Sequence, residues 1–185
     1  MNRFLGDYVE AVEATIGVRL PSEYLARGRT TGLVENGEVV GGFTVIARPP
    51  FRSLLQLPDR ERANIEQALQ RAGGRVVEAN GLFLKRSVSD PEVIVSFWRA
   101  LVAELNWADA SSVVLSHSAE SAKLQRLYAP LRAVTLYSGP VRRLEGMAAP
   151  DVERVLLTTV SAIENVTCSQ QWLSARIEAR SGAPK

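Results

Sequence analysis

The sequence predicts a mixed α/β fold (an α+β arrangement), with helices on both faces of one central sheet. Two β-rich runs flank Asn36-Gly37, a dipeptide favoured in tight primed turns, which indicates an antiparallel hairpin. After residue 75, short apolar runs alternate with segments of helical spacing, a pattern typical of parallel strands joined by right-handed crossovers. With 46% hydrophobic and 23% charged residues, the 185-residue chain has the composition of a globular protein and most simply forms one domain.

The first half of the chain supplies a helix and the hairpin. Apolar side chains recur at helical spacing over residues 2–16, and Gly17 ends that helix. A second, short helix is expected over 21–25. Pro49-Pro50 terminates the second hairpin strand, because proline donates no backbone hydrogen bond.

The second half supplies the crossover units. In chain order the expected elements are a charged helix over 59–73, a strand over 76–86, a helix over 91–108, a strand over 111–118, a helix over 119–131, a strand over 133–144 and a final helix from 151 onward. We therefore expect a single domain over 1–180, with a C-terminal helical extension over about 150–180 and a disordered tail over 181–185.

Composition removes several classes of function. One histidine (His117) and one cysteine (Cys168) cannot form a His/Cys zinc site or an internal disulfide. The chain has no glycine-rich phosphate loop, no nucleophile elbow, and no apolar run long enough to span a bilayer. A net charge of +2 does not favour nucleic-acid binding. We therefore expect a cytoplasmic protein with no metal, no tightly bound cofactor, no membrane span and no nucleic-acid partner.

The segment RVVEANGLFLKRSVSDP, residues 75–91, is an unusual strand. It carries Glu78 and Gly81 in its middle. Glycine inside a strand favours a bulge or a close backbone approach, although Gly81 could equally mark an irregular strand start.

The same segment ends in a basic, hydroxyl-rich turn before the next helix. Backbone N–H groups and the positive end of a helix favour phosphate at such a junction. The alternative is a solvated Lys85-Arg86 pair next to a helix capped by Asp90.

The order of elements resembles the GNAT-type N-acyltransferase superfamily, and it is most similar to the acyl-homoserine lactone (autoinducer) synthase branch. Three stretches carry the resemblance: GEVVGGFTVIARPPFRSLLQLP, VVEANGLFLKRSV, and FWRALVAELNWADASSVVLSHSAESAKLQRLYAPLRA. It covers residues 30–145. It implies a partly splayed sheet and transfer of an acyl group from acyl carrier protein or acyl-CoA to an amine, in small-molecule or peptide biosynthesis.

The chain departs from that branch at two places. YLARGRTTG lacks the acidic residues that help lactone synthases hold S-adenosylmethionine, which favours a different amine acceptor. RSVSDP has no glycine, so a phosphopantetheine-linked donor on an acidic carrier protein fits alongside CoA.

The resemblance also implies where the donor binds. Its pantetheine arm would enter between splayed strands at Leu82–Lys85 and Val113–Ser116. The implied donor-binding residues are Leu82, Phe83, Leu84, Lys85, Arg86, Ser87 and Ser89.

The implied catalytic residues are Glu78, Tyr128 and Ser116. Glu78 would take a proton from the acceptor amine, and its alternative is a surface residue or a partner of Arg75. Tyr128 would protonate the leaving thiolate, and its alternative is an amphipathic helix residue with its ring on the sheet. Ser116 would orient the reacting carbonyl.

Asn80 and His117 are the implied acceptor-binding residues. A lone histidine is also commonly a structural residue, so that reading stays open for His117. The partners implied are the donor and an amine-bearing small molecule or peptide.

Two non-catalytic functions remain open: a degenerate domain that binds acyl thioesters, and an interaction domain. The latter would form a homodimer through the C-terminal helix, with Trp172 as an anchor, and its two central parallel strands would stay paired. Phe97, Trp98 and Trp107 are expected in the core or along an acyl tunnel.

Overall fold

The computed structural model describes residues 3–120, 125, 128–147 and 152–167. Its helices are α1 (Arg3–Ile16), α2 (Ser22–Leu25), α3 (Arg52–Leu55), α4 (Asp59–Ala72), α5 (Pro91–Trp107) and α6 (Val160–Thr167), with a 3-10 helix at Ala129–Leu131. Its strands are β1 (Arg29–Glu35), β2 (Glu38–Ile46), β3 (Val76–Leu84), β4 (Ser112–Ser118), β5 (Val134–Pro140) and β6 (Val152–Thr159). No helix among these residues is long and apolar enough to cross a membrane.

The six strands form one mixed sheet in the order β1-β2-β3-β4-β6-β5. Only β3 and β4 pair in parallel, and α5 is the crossover between them. All other neighbours are antiparallel. The predicted mixed sheet flanked by helices is thereby confirmed.

The predicted hairpin is also present. Asn36 and Gly37 join β1 to β2 with φ values of 50° and 81°. Two central residues with positive φ define the primed turn whose twist matches the flanking strands. Local turn chemistry was therefore sufficient to place this hairpin.

The helix predicted from residue 151 is wrong over its first half, because residues 152–159 form strand β6. This strand lies between β4 and β5, and its neighbours Val155 and Leu156 are both buried, one on each face. A strand buried on both faces shows a continuous apolar run whose spacing also fits a helix. Helix α6 begins only at Val160. Trp172 and the predicted tail lie outside the described residues, and the single-domain boundary stays a prediction.

The two faces of the sheet carry separate apolar clusters. The α5 face, which α5 and α6 cover, includes Val113 and Leu115 of β4. The α1 face, which α1 to α4 cover, includes Val114 of the same strand. Successive side chains of β4 thus alternate between the faces, as a regular strand requires.

The aromatic residues predicted as core divide into two groups. Phe97 and Trp98 are buried on the α5 face and make an edge-to-face contact at 5.6 Å. Trp107 is 66% exposed and the Arg29 guanidinium lies 4.0 Å from its ring centroid, so the core and tunnel interpretations of Trp107 are wrong.

Candidate active site

The sheet opens between its two parallel strands. β3 and β4 pair at only three positions, from Val76↔Ser112 to Glu78↔Val114. Beyond Glu78, β3 continues to Leu84 along β2, while β4 continues to Ser118 along β6. The strands therefore part towards their carboxyl ends, and the segments 79–84 and 115–118 form the two sides of an opening.

A bulge bends β3 where the strands part. Gly42 pairs with Phe83 and Thr44 with Asn80, so two residues, Gly81 and Leu82, lie opposite a single residue of β2. Gly81 has φ +60°, and a Cβ there would lie 2.5 Å from the Tyr8 hydroxyl oxygen. The predicted bulge is confirmed, and it requires glycine both for its backbone angle and for its packing.

Tyr8 of α1 holds this bulge from the α1 face. Its hydroxyl donates to the Gly81 carbonyl at 3.1 Å and accepts from the Thr44 hydroxyl at 3.2 Å. Burial raises the pKa of Tyr8 well above its ordinary value, so the hydroxyl keeps the proton that it donates.

Glu78 lies at the point of divergence and is completely buried. The backbone N–H groups of Arg52 and Ser53, at the start of α3, donate to its two carboxylate oxygens at 2.9 and 2.6 Å. The Tyr24 hydroxyl donates at 2.6 Å, and the Asn80 amide at 3.4 Å. Four donors thus converge on the two carboxylate oxygens. The interpretations of Glu78 as a surface residue or as a partner of Arg75 are wrong.

Tyr24 of α2 is bound tightly into this cluster. Burial is the main cause that raises the pKa of Tyr24 well above its ordinary value, and the adjacent Glu78 charge adds to it. Tyr24 therefore remains a hydrogen-bond donor to the carboxylate at all ordinary pH values.

Ser116 extends the cluster to the other side of the opening. The Ser53 hydroxyl donates to the Ser116 hydroxyl at 3.2 Å, which links α3 to β4. Ser116 and Asn80 are half-buried, whereas Ser53 and Glu78 are buried. Three residues predicted from the sequence (Glu78, Asn80 and Ser116) thus come together on the α1 face. We call them, with Tyr24 and Ser53, the carboxylate cluster.

Sequence reasoning missed Tyr24, Arg52 and Ser53. They are 25 to 54 residues from Glu78 in the chain, and their contacts with it depend on how α2 and α3 cover the sheet. The Arg52 guanidinium, with burial as the main cause of a lowered pKa, donates to the Glu145 carbonyl. The Arg52 side chain lies beside Tyr24, with its guanidinium carbon 6.0 Å from the ring centroid.

His117 and Tyr128 lie on the opposite, α5 face. Their rings stack at 5.2 Å with an interplanar angle of 9°, and both are buried. The His117 Nδ1 lies 2.7 Å from the Ser118 carbonyl oxygen, which can only accept, so Nδ1 carries the proton. Burial is the main cause that lowers the pKa of His117, and the nearby Arg154 charge adds to it. The predicted residues are therefore divided between two faces of the sheet.

The predicted donor strand forms one side of the opening. Leu82 and Leu84 are half-buried and pack on the α5 face, whereas Phe83 packs on Tyr8 at 6.1 Å. The extra residue of the bulge causes this exchange of faces, because odd-numbered residues of β3 face α5 before Gly81 and α1 after it.

The basic turn is less open to phosphate than its sequence suggests. Lys85 pairs with Glu38 at 2.5 Å. Asp90 caps α5 by accepting from the Glu92 N–H at 2.9 Å. Arg86, Ser87 and Ser89 are exposed around this turn. The α5 N-terminus thus carries two carboxylates of its own, from Asp90 and Glu92. Within the described residues no group of three His, Cys, Asp or Glu side chains could hold a metal ion.

Several solved structures have a fold similar to that of this chain. The chain resembles FeeM, an N-acyl amino acid synthase from uncultured soil microbes, with a TM-score of 0.63, 13% identity, and coverage of 89% of this chain and 95% of FeeM. The chain therefore has the predicted GNAT-type fold. It also resembles a probable acetyltransferase from Staphylococcus epidermidis, with a TM-score of 0.54, 11% identity, and coverage of 85% of this chain and 94% of that one.

A third similar structure is a putative acetyltransferase from Salmonella typhimurium, solved with acetyl-CoA. Its TM-score is 0.50 at 15% identity, over 85% of this chain and 86% of that one. No protein-family model matches the chain. No curated protein sequence matches it either.

Proposed function

We propose that the protein is an N-acyltransferase that moves an acyl group from a thioester to an amine. The observation that carries the proposal is the opening between β3 and β4, where parallel pairing stops after Glu78↔Val114 beside a glycine bulge. An extended pantetheine arm can bond to strand backbone that has lost its neighbouring strand. The similarity to acyltransferase structures in overall fold supports this assignment.

The reaction would use residues from both faces of the sheet. The amine nitrogen attacks the thioester carbon, a C–N bond forms, the C–S bond breaks, and the leaving thiolate takes up a proton. We assign the amine to the α1 face, with Asn80 and Ser116 towards it, and the thiolate to the α5 face beside Tyr128. The base then acts at the amine nitrogen and the acid acts at the sulfur, on opposite sides of the thioester carbon.

Glu78 is the proposed proton acceptor, and it would act through water. Its carboxylate is completely buried and already accepts from Tyr24, Arg52 and Ser53, so an amine cannot reach it directly. The half-buried Ser116 and Asn80 are the members of the cluster that face the opening.

Charge and the similar structures support a choice of donor and acceptor classes. The α5 N-terminus is already neutralised by Asp90 and Glu92, so a CoA pyrophosphate gains less there than at an uncapped helix. We therefore propose acyl carrier protein as a donor beside acyl-CoA. Because FeeM is an N-acyl amino acid synthase, amino acids are the first acceptors to test.

The proposal is tested by thiol release from hexanoyl-CoA and hexanoyl-carrier protein, each with a panel of amino acids and polyamines. We expect Tyr128→Phe to lower kcat about 100-fold with little change in KM, since loss of a general acid affects the chemical step. Tyr137→Phe is the matched control. Among the described residues the Tyr137 hydroxyl donates only to the Pro140 carbonyl on β5, so this variant should leave kcat unchanged. Absence of thiol release with every donor and acceptor would contradict the proposal.

A second candidate is a domain that binds acyl thioesters without chemistry. It is favoured by the Glu78 carboxylate, whose oxygens already accept hydrogen bonds from Tyr24, Arg52 and Ser53. Tight hexanoyl-CoA binding without thiol release, unchanged in Tyr128→Phe, would favour it. A pure interaction domain is disfavoured, because its central parallel strands were expected to stay paired and they part.

A further inference from the structure

A cavity of about 640 Å³ lies on the α5 face, beside the His117–Tyr128 stack. Its floor is formed by β4, β6 and β5, where His117 pairs with Arg154 and Thr135 with Leu156. Its roof contains Tyr128 and the 3-10 helix at Ala129–Leu131. This volume is typical of pockets that hold small organic ligands.

The polar wall of the cavity carries two guanidinium groups. Arg132 and Arg154 line it together with Gln125 and Thr135, and none of the described lining residues carries a carboxylate. The Nε of Arg154 is buried and has no hydrogen-bond partner among the described residues. A buried guanidinium N–H without an acceptor costs free energy that an anionic ligand would recover.

The rest of the lining is apolar or uncharged. Ala129, Ala133 and Leu156 form an apolar wall. His117 adds no positive charge at neutral pH, because burial and the Arg154 charge lower its pKa. The site thus combines two guanidinium groups with an apolar surface.

We propose that this cavity binds a small organic carboxylate, whose charged group pairs with Arg154 and Arg132 and whose apolar body packs on Ala133 and Leu156. The planar guanidinium fork matches a carboxylate in two parallel hydrogen bonds. An inorganic anion would satisfy the arginines but would leave the apolar wall and most of the volume unused. The cavity shares Tyr128 with the proposed acyl transfer. The assignment of a carboxylate does not rest on that reaction, because its evidence is the cavity and its cations, not the opening between β3 and β4.

The single histidine of the chain provides a direct reporter. The imidazole proton signals of His117 are unambiguous in a proton NMR spectrum, and the ring lines the cavity. The probes are benzoate, its uncharged isostere benzamide, and inorganic phosphate. Each is titrated into the full chain, with isothermal calorimetry in parallel.

We expect benzoate to shift the His117 signals saturably, and benzamide and phosphate to bind at least tenfold more weakly. Arg154→Gln should weaken benzoate binding about tenfold or more, because it removes a charged hydrogen-bond partner. Arg132 is an exposed residue, so Arg132→Gln repeats the test if Arg154→Gln fails to fold. Arg99→Gln, on the exposed side of α5, removes the same charge away from the cavity and should leave binding unchanged.

Four results would overturn the assignment. Equal binding of benzamide would show that the site recognises the ring alone. Equal binding of phosphate would identify an inorganic anion site. Failure of all three probes to shift the His117 signals, or equal loss of binding in Arg99→Gln, would mean that the arginines of the cavity do not select a carboxylate.

Discussion

Two polar sites flank the same strand, β4, and they are built in opposite ways. On the α1 face, the Glu78 carboxylate accepts hydrogen bonds from Tyr24, Arg52 and Ser53 and is completely buried. On the α5 face, the cavity beside His117 contains a buried Arg154 N–H without a partner among the described residues. A saturated cluster holds its shape without a ligand, whereas a site with unused donors gains from one. The difference teaches that burial of a charged group and readiness to bind are separate properties.

The largest expected effect comes from removing the Glu78 carboxylate from the carboxylate cluster. Glu78→Ala should lower the free energy of unfolding by about 3 kcal/mol or more, because it leaves several buried donors without an acceptor. Urea denaturation measures this change. Glu10→Ala, on the exposed side of α1, should change the same quantity by less than about 0.5 kcal/mol. A loss for Glu78→Ala as small as that of Glu10→Ala would show that the cluster does not stabilise the fold.

The glycine at the bulge gives a smaller effect. Gly81→Ala should cost about 2–3 kcal/mol, from a positive φ and from overpacking against Tyr8 and Leu20. Gly37→Ala is the matched control, because φ there is +81° and nothing lies within 4 Å of an added Cβ. Gly37→Ala should lower the free energy of unfolding by only about 1 kcal/mol, because only the positive φ is unfavourable there. Equal losses of unfolding free energy in the two variants would mean that α1 shifts to accommodate the new methyl group.

The smallest effect concerns the pH dependence of the α5 face. His117 has a lowered pKa in the folded chain, so the unfolded chain, with a pKa of about 6.5, binds a proton there at higher pH. This contribution to stability is complete above about pH 7 and is lost as the pH falls towards 5. Among the described residues, Arg154 and Tyr128 lie beside the imidazole, and Arg132 lines the same cavity.

His117→Gln removes this titration. Thermal unfolding between pH 5 and 7 should therefore depend less on pH in the variant than in the parent chain. If the unfolding temperatures of the two proteins changed equally with pH, the pKa of His117 would be the same in the folded and unfolded chains.

Local patterns predicted most of the elements. The Asn36-Gly37 turn, the Gly17 helix end and the Asp90-Pro91 helix start each depend on the chemistry of two or three adjacent residues. The same reasoning failed for residues 152–159, because a central strand and a buried helix share an apolar pattern. It also failed for Trp107, where helical spacing does not reveal which side of α5 meets solvent.

The candidate site was predicted in part. Glu78, Asn80 and Ser116 do meet on one face, and His117 meets Tyr128 on the other. Their catalytic roles stay predictions. The donors that surround Glu78 could not be found, because Tyr24, Arg52 and Ser53 lie on short helices with no distinctive motif.

The sequence by itself determined most of the helices and strands, the hairpin and the glycine that kinks β3, since these depend on interactions between near neighbours. The tertiary structure alone decided that Glu78 is buried and saturated, that β6 inserts between β4 and β5, and that Arg154 and Arg132 share a cavity. These features join residues far apart in the chain. Their energies depend on which surfaces the helices cover, and one sequence does not encode that in any local pattern.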